Sequence, residues 1–180
     1  WLQGTQGSSA DKTLPVSLRD RIQSVEGVAA VDTYRDIRVL VTGKSVALVS
    51  RDLRMHAERS RYLFLSGDSR TILHEAVDRG AVVVSEVLAQ RLAVVQGGML
   101  ELPTSSGIRS FPVQGIFYDY ATDGGKIVMD RATYQKWWND DAGVTVFPVY
   151  MKDNQDLAQV RQRIVRLMAE GNRHGVVPSI

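Results

Sequence analysis

The chain is 180 residues long, 44% hydrophobic and 23% charged, with 22 basic against 20 acidic side chains and a formal net charge of +2. That length and balance describe a soluble globular domain or two closely packed subdomains, and the lack of a dense Lys/Arg block argues against nucleic acid as a partner. The absence of cysteine excludes thiolate catalysis, disulfides and Cys-based zinc sites, and no run reaches the roughly 18 consecutive apolar residues of a membrane-spanning helix.

The first residues, WLQGTQGSSADKT, are polar and rich in small side chains, so residues 1–13 are expected to form a flexible tail. They lack the segments of a signal peptide. A chain beginning with Trp reads as a fragment of a longer protein; if that protein sits in a membrane, its spans lie outside these residues. Ordered structure is expected from Leu14, with Pro15 in the first turn of a helix that carries Leu18, Ile22 and Val25 and stops at Gly27. A strand follows from Val28. Ile37, Val39 and Val41 then point one way, with Arg38 and Leu40 opposite. Thr42-Gly43-Lys44-Ser45 turns the chain, and VALVS at 46–50 completes a hairpin. Residues 51–68 show no clear period. Arg51, Arg54, Arg59 and Arg61 crowd this stretch, and Tyr62–Leu65 suggests a short strand ended by Ser66-Gly67-Asp68.

Ser69–Arg79 reads as a short helix with Ile72, Leu73, Ala76 and Val77 on one face and Gly80 as its stop. Ala81–Val84 is a buried strand by length and β-branching, and Ser85 is a good N-cap for a helix through Leu92. Gly97-Gly98 leads into a strand from Met99 to Pro103, and Ser105-Ser106-Gly107 returns the chain along 109–118. Gly124-Gly125 precedes a strand at Ile127–Met129, and Asp130 caps a helix holding Tyr134, Trp137 and Trp138. Val144–Met151 is expected as one strand. The last helix carries Leu157, Val160, Ile164, Leu167 and Met168 as a stripe, capped by Asp153 or Asn154 and ended by Gly171; Val176-Val177 begins a further strand. Hairpin-linked strands interleaved with helices fit an α+β fold with mixed or antiparallel sheets better than a doubly wound parallel sheet.

Reactive chemistry finds little support. His56, His74 and His174 are far apart and show no metal-ligand spacing, so they read as exposed or incidental. Ser85 with His74 and an Asp makes a triad only on paper, because no GxSxG elbow is present and capping explains the serine more simply. The double glycines match neither phosphate-cradling pattern and are better read as turn residues that permit positive φ. Asp140-Asp141 and the loop carrying Asp119 and Asp123 are solvated carboxylates in the simplest reading, and 119–123 lacks the ligand density of an EF-hand. Phe117, Tyr118 and Tyr120, with Tyr134, Trp137 and Trp138, are more informative. Adjacent tryptophans on a helix cannot both face the core, so this group reads as core packing with a partly covered edge, or as a surface for a partner or apolar ligand. The arginines of 51–61 read as a solvated face or a docking patch. The partner-contact candidates are Trp137, Trp138, Tyr120, Arg54 and Arg59.

In order and spacing these segments resemble the periplasmic core domain of FtsX/MacB-family ABC transporter permeases. The matching residues are Val25-Glu26-Gly27-Val28, with Glu26 where the family commonly has Pro; Val82-Val83-Val84-Ser85-Glu86 with Leu88-Ala89 and Leu92; and Gly97 and Leu100. Phe111–Phe117, Ile127–Asp130 with Tyr134 and Trp137, and Val149–Lys152 continue the match. Gly98 departs from the family, which commonly has Asp after this glycine. The resemblance covers about residues 14–175 and implies one core domain over 14–180 with an inserted subdomain near 53–125. It further implies an external domain of a permease in the inner membrane, held on the extracytoplasmic side, with no catalytic residue, cofactor or metal. The ATPase partner would be cytoplasmic and reached through membrane helices, and a periplasmic protein or substrate would be the external partner, in export or lipoprotein release. The rivals are a soluble hydrolase using Ser85 or the acidic loop, and a stand-alone ligand-binding module.

Overall fold

The computed structural model describes residues 2–4, 13–119, 124–140, 143–171 and 178–179. The chain opens with β1 (Leu2–Gly4), β2 (Leu14–Pro15), α1 (Leu18–Gln23) and β3 (Val28–Val31), followed by β4 (Arg35–Val41) and β5 (Lys44–Arg51). Next come α2 (Leu53–Arg59), α3 (Ser69–Arg79), β6 (Val82–Ser85) and α4 (Glu86–Leu92). Then follow β7 (Met99–Thr104), β8 (Gly107–Phe117), β9 (Lys126–Asp130) and α5 (Arg131–Trp138). Three short strands, β10 (Gly143–Val144), β11 (Val146–Phe147) and β12 (Val149–Met151), lead to α6 (Leu157–Gly171) and β13 (Pro178–Ser179). This is the mixed α+β architecture the pattern of segments implies. The chain divides into a discontinuous unit, Trp1–Arg35 with Ala142–Ile180, and an inserted unit, Asp36–Asp141. The insertion is wider than the expected 53–125 because β4, β5 and β9 share one sheet with the strands between them.

In the discontinuous unit, β3 pairs with β12, β2 with β10, and β1 lies between β11 and β13, all antiparallel. Leu2–Gly4, placed in the tail by composition, is thus a paired strand; the Gly/Ser-rich run begins only after it. Pro15 sits opposite Gly143 in β2 rather than in the first turn of α1. The expected strand over 144–151 is broken into pieces. Pro148 has no amide to pair, its carbonyl accepts from Asp32 N–H (2.9 Å), and the register shifts again between Tyr150 and Met151. Ile22, Val31, Val144, Phe147, Val160, Ile164 and Met168 form the core. Leu157 is 69% exposed, so the buried stripe of α6 starts one turn later than its sequence suggests. The cap is also shifted: Asp156, not Asp153 or Asn154, accepts from Ala158 N–H (2.8 Å). Gly27 has φ +92°, and a Cβ there would stand 2.6 Å from Val160 Cγ2, so glycine alone permits this turn to meet α6. The neighbouring Glu26 is exposed and ion-pairs with Arg163 (3.4 Å), which accounts for an acidic residue being tolerated there.

The inserted unit is built on a six-stranded sheet in the order β4-β5-β9-β6-β8-β7. β5 with β9 and β6 with β8 are parallel pairs, while β6–β9 and β7–β8 are antiparallel. Central strands covered on both faces need continuous apolar runs, and Val46–Val49 and Val82–Val84 supply them. The hairpin between β4 and β5 turns on Thr42 and Gly43, both with positive φ (49° and 76°), as a two-residue primed turn requires. Residues 53–59, without an evident period in sequence, form α2: Asp52 accepts from Met55 N–H (2.8 Å), and Leu53, His56 and Ala57 are buried. Among the described residues Tyr62–Leu65 makes only an isolated bridge, Phe64 to Phe117. Among the double glycines, positive φ falls on Gly97 and Gly125 but not on Gly98 or Gly124.

Ser85 joins α4 to β9. Its buried Oγ accepts from Leu88 N–H (3.4 Å) and from Lys126 N–H (2.9 Å). Ser85→Ala is expected to remove about 1–2 kcal/mol of stability by leaving both amides without their acceptor. The urea midpoint reads this directly, and an unchanged midpoint would mean that both amides find other partners.

Candidate functional site

The partner-facing candidates on α5 owe their positions to one carboxylate. Asp130 ends β9 and accepts from Ala132 N–H (2.9 Å), capping α5, while its other oxygen accepts from Leu53 N–H (3.2 Å) at the start of α2. Tyr134 is buried, its hydroxyl donating to the Asp140 carboxylate (2.7 Å), and its ring stacks on Trp138 (5.3 Å between centroids). Trp138 stacks in turn on Phe111 of β8 (6.0 Å), and Trp137 meets the same ring edge-on (6.4 Å). Both tryptophans are therefore half-buried. The expectation that one turns its back on the core is corrected: Phe111 lies where both rings reach it. The outer face of Trp137 carries cations, with the Arg109 guanidinium 4.8 Å and the Lys136 ammonium 5.1 Å from its centroid. Tyr120 lies outside the described residues.

Beside Trp137 is a groove of about 480 Å³ lined by Arg79, Arg109, Phe111, Thr133 and Lys136. None of these cations stands out in the sequence, because they lie on α3, β8 and α5 and share no local spacing. The β7–β8 turn closes one end of α5: Ser105 N–H donates to Trp137 O (3.1 Å) and its hydroxyl to Trp138 O (2.6 Å).

Arg54 and Arg59 are both exposed. Arg54 is engaged in a chain of polar contacts between α2 and α3. It pairs with Asp78 and contacts His74 Nδ1 (3.2 Å); His74 Nε2 contacts Glu58 (3.1 Å), which pairs with Arg70 (2.7 Å). The His74 ring, with Arg70 beside it, holds the Glu58 carboxyl below the usual carboxylate range. Arg54 and Arg70 are thus engaged within the inserted unit.

Ser85 and His74 do not form a catalytic pair: the serine is enclosed with its oxygen on two amides, and the His74 nitrogens face Arg54 and Glu58. Asp119 of the acidic loop is mostly buried and pairs with Lys126 (2.9 Å); Asp123 and Asp141 lie outside the described residues. Among the described residues no three His, Asp or Glu side chains converge as metal ligands. His56, read from sequence as exposed or incidental, is instead buried, and among the described residues neither ring nitrogen has a hydrogen-bond partner. It packs against Tyr62 (4.8 Å between ring centroids), and burial, then the charge of Arg51, pushes its pKa down to about 3.

No protein-family model matches the sequence. A curated relative, the uncharacterized ABC transporter permease protein Rv0987 of Mycobacterium tuberculosis, is 30% identical over 137 residues, 74% of this chain. The chain is similar to the extracytoplasmic domain of an ABC transporter permease. It spans only 16% of the length of that relative. In fold it matches the periplasmic region of MacB from Actinobacillus actinomycetemcomitans, with a TM-score of 0.68 and 14% identity over 94% of this chain and 81% of that one. It also matches the extracellular domain of the noncanonic ABC-type transporter YknZ from Gram-positive bacteria, with a TM-score of 0.65 and 10% identity over 98% of this chain and 95% of that one. At such low identity these two likenesses establish the MacB-like fold and carry no residue roles. Among the described residues no helix is long and apolar enough to cross a membrane.

Proposed function

We propose that the chain is a non-catalytic external domain of an ABC transporter permease, held on the extracytoplasmic side of the cell membrane. The membrane helices of the parent protein connect it to a cytoplasmic ATPase, and ATP-driven motion of those helices reaches a substrate or an external protein through this domain. The observation that carries the reading is the 30% identity to an ABC transporter permease over 74% of the chain, joined to the MacB-like fold. The enclosed Ser85 and the separately engaged His74 favour it over a hydrolase. The aromatic face of α5, with Trp137 and Trp138, is the contact surface for the external partner; Arg54 and Arg59 are a second, weaker patch. Export and lipoprotein release both suit such a device.

Topology gives the test. The 180 residues contain no cysteine, so Ser66→Cys on an exposed loop introduces one thiol into this domain of the full-length protein. A membrane-impermeant maleimide added to intact cells is expected to label that variant above the parent background. Labelling that requires permeabilised cells would overturn the assignment.

A further inference from the structure

The sheet of the inserted unit has an opening that its strand order conceals. β8 runs from Gly107 to Phe117 and pairs with β7 along Gly107–Pro112. On its other side, pairing with β6 begins only at Val113, opposite Val82. Among the described residues no strand lies on that side of Gly107–Pro112. The direction of the backbone groups follows from parity. Val113 bonds Gly97 and Gly98 on the β7 side, its carbonyl accepting from Gly97 (2.8 Å) and its amide donating to Gly98 (2.9 Å). Residues 109 and 111 share that direction, so Ile108, Ser110 and Pro112 turn their backbone groups the other way. The prolines agree: Pro112 and Pro103, which have no amide to offer, face Met99 and Ile108 at positions that exchange no ladder bonds. The Pro112 carbonyl is taken up by the Val82–Val113 bridge to β6, so among the described residues the amides and carbonyls of Ile108 and Ser110 form a bare strand edge.

The groove of Arg79, Arg109 and Lys136 lies beside this edge. Among the described residues none of the three makes an ion pair. Arg79 reaches only the Gln114 side chain (3.4 Å), and the other two lie over Trp137. Arg109 and Lys136 over an aromatic ring, Arg79 in the same groove, and backbone donors and acceptors without partners among the described residues specify an occupant that is extended and acidic. A lipid headgroup would satisfy the cations but leave the strand edge bare.

We propose that the open edge of β8 between Ile108 and Pro112, with the cationic groove of Arg79, Arg109 and Lys136 beside it, docks an extended acidic segment of a partner protein as an added strand. The proposal deepens the partner-binding reading of α5 by fixing the partner's chemistry and mode of docking.

The test uses the purified 180-residue chain and a fluorescein-labelled, capped heptapeptide of alternating Glu and Val, followed by anisotropy. Saturable binding is expected, with none of the corresponding Lys/Val peptide. Ser110→Pro removes one edge amide at a position equivalent to that already held by Pro112, and is expected to weaken binding tenfold or more, while Ser110→Thr leaves it unchanged. Arg109→Glu and Lys136→Glu are expected to weaken it similarly, and they decide the matter if circular dichroism shows Ser110→Pro to be misfolded. Equal binding by wild type and all three variants overturns the proposal, as does absence of peptide binding at about 1 mM. Binding of phosphatidylglycerol vesicles without the peptide also overturns it. None of these outcomes touches the labelling experiment above, so the two readings fail separately.

Discussion

Tyr134→Ala is expected to destabilise the inserted unit by about 4 kcal/mol, the range for removing a large, fully buried aromatic ring. The ring is 1% exposed, stacks on Trp138 and lies 5.4 Å from the Arg131 guanidinium. Truncation would open a cavity beneath α5 and leave the Asp140 carboxylate without its hydroxyl donor. Tyr134→Phe separates these contributions: it keeps the ring and removes one hydrogen bond to a charged group, with an expected loss of about 1.5 kcal/mol. Urea unfolding of both variants, followed by circular dichroism, tests this. Equal losses would mean that the hydroxyl dominates and that the stacking account is wrong. Because Trp138 rests on both Tyr134 and Phe111, the alanine variant should also disturb the surface around Trp137.

Acidification is expected to remove about 2 kcal/mol through His56 alone between pH 7 and pH 5. In the folded chain the imidazole is neutral, its pKa lowered from 6.5 to about 3 by burial and by Arg51. In the unfolded chain it titrates near 6.5. Between those values the unfolded state binds the extra proton, so stability rises with pH across this window and is lost as pH falls from 6.5 toward 3. His56→Leu, similar in volume and without a titrating group, should flatten that part of the pH–stability curve and raise stability at pH 5 relative to wild type. Parallel curves for the two proteins would remove His56 as the cause. Among the described residues no hydrogen bond compensates either nitrogen, so the histidine contributes packing against Tyr62 and little else at neutral pH.

Features governed by neighbouring residues were legible in the sequence. Ser85 and Asp130 cap the helices that follow them, and Gly80 ends α3 at φ +58°, because capping and left-handed termination are decided within one turn of chain. α2 was not legible. Its buried face is a short Leu53, His56 and Ala57 stripe, and a buried histidine among four arginines at 51–61 does not look apolar. The place of β9 between β5 and β6 was equally hidden, since a pairing such as Val49 with Val128 leaves no local mark. For the candidate site, Trp137 and Trp138 announced themselves by residue type. Arg79, Arg109 and Lys136 did not, because only the fold brings their three elements to one groove.

The central position of β9 also bears on how the inserted unit is made. Val49 and Val128 pair directly across 79 residues of chain (128 − 49), and β9 joins the β4–β5 hairpin to the β6–β8–β7 half. During synthesis that sheet exists as two separate pieces, each with a bare apolar edge, until Lys126–Asp130 has emerged. Loop closure over such a span makes joining them slow compared with forming either piece. The nascent chain therefore passes through an interval in which the strands VALVS at 46–50 and VVVS at 82–85 are both unsealed. In that interval premature folding is unproductive, and shielding from other chains matters most.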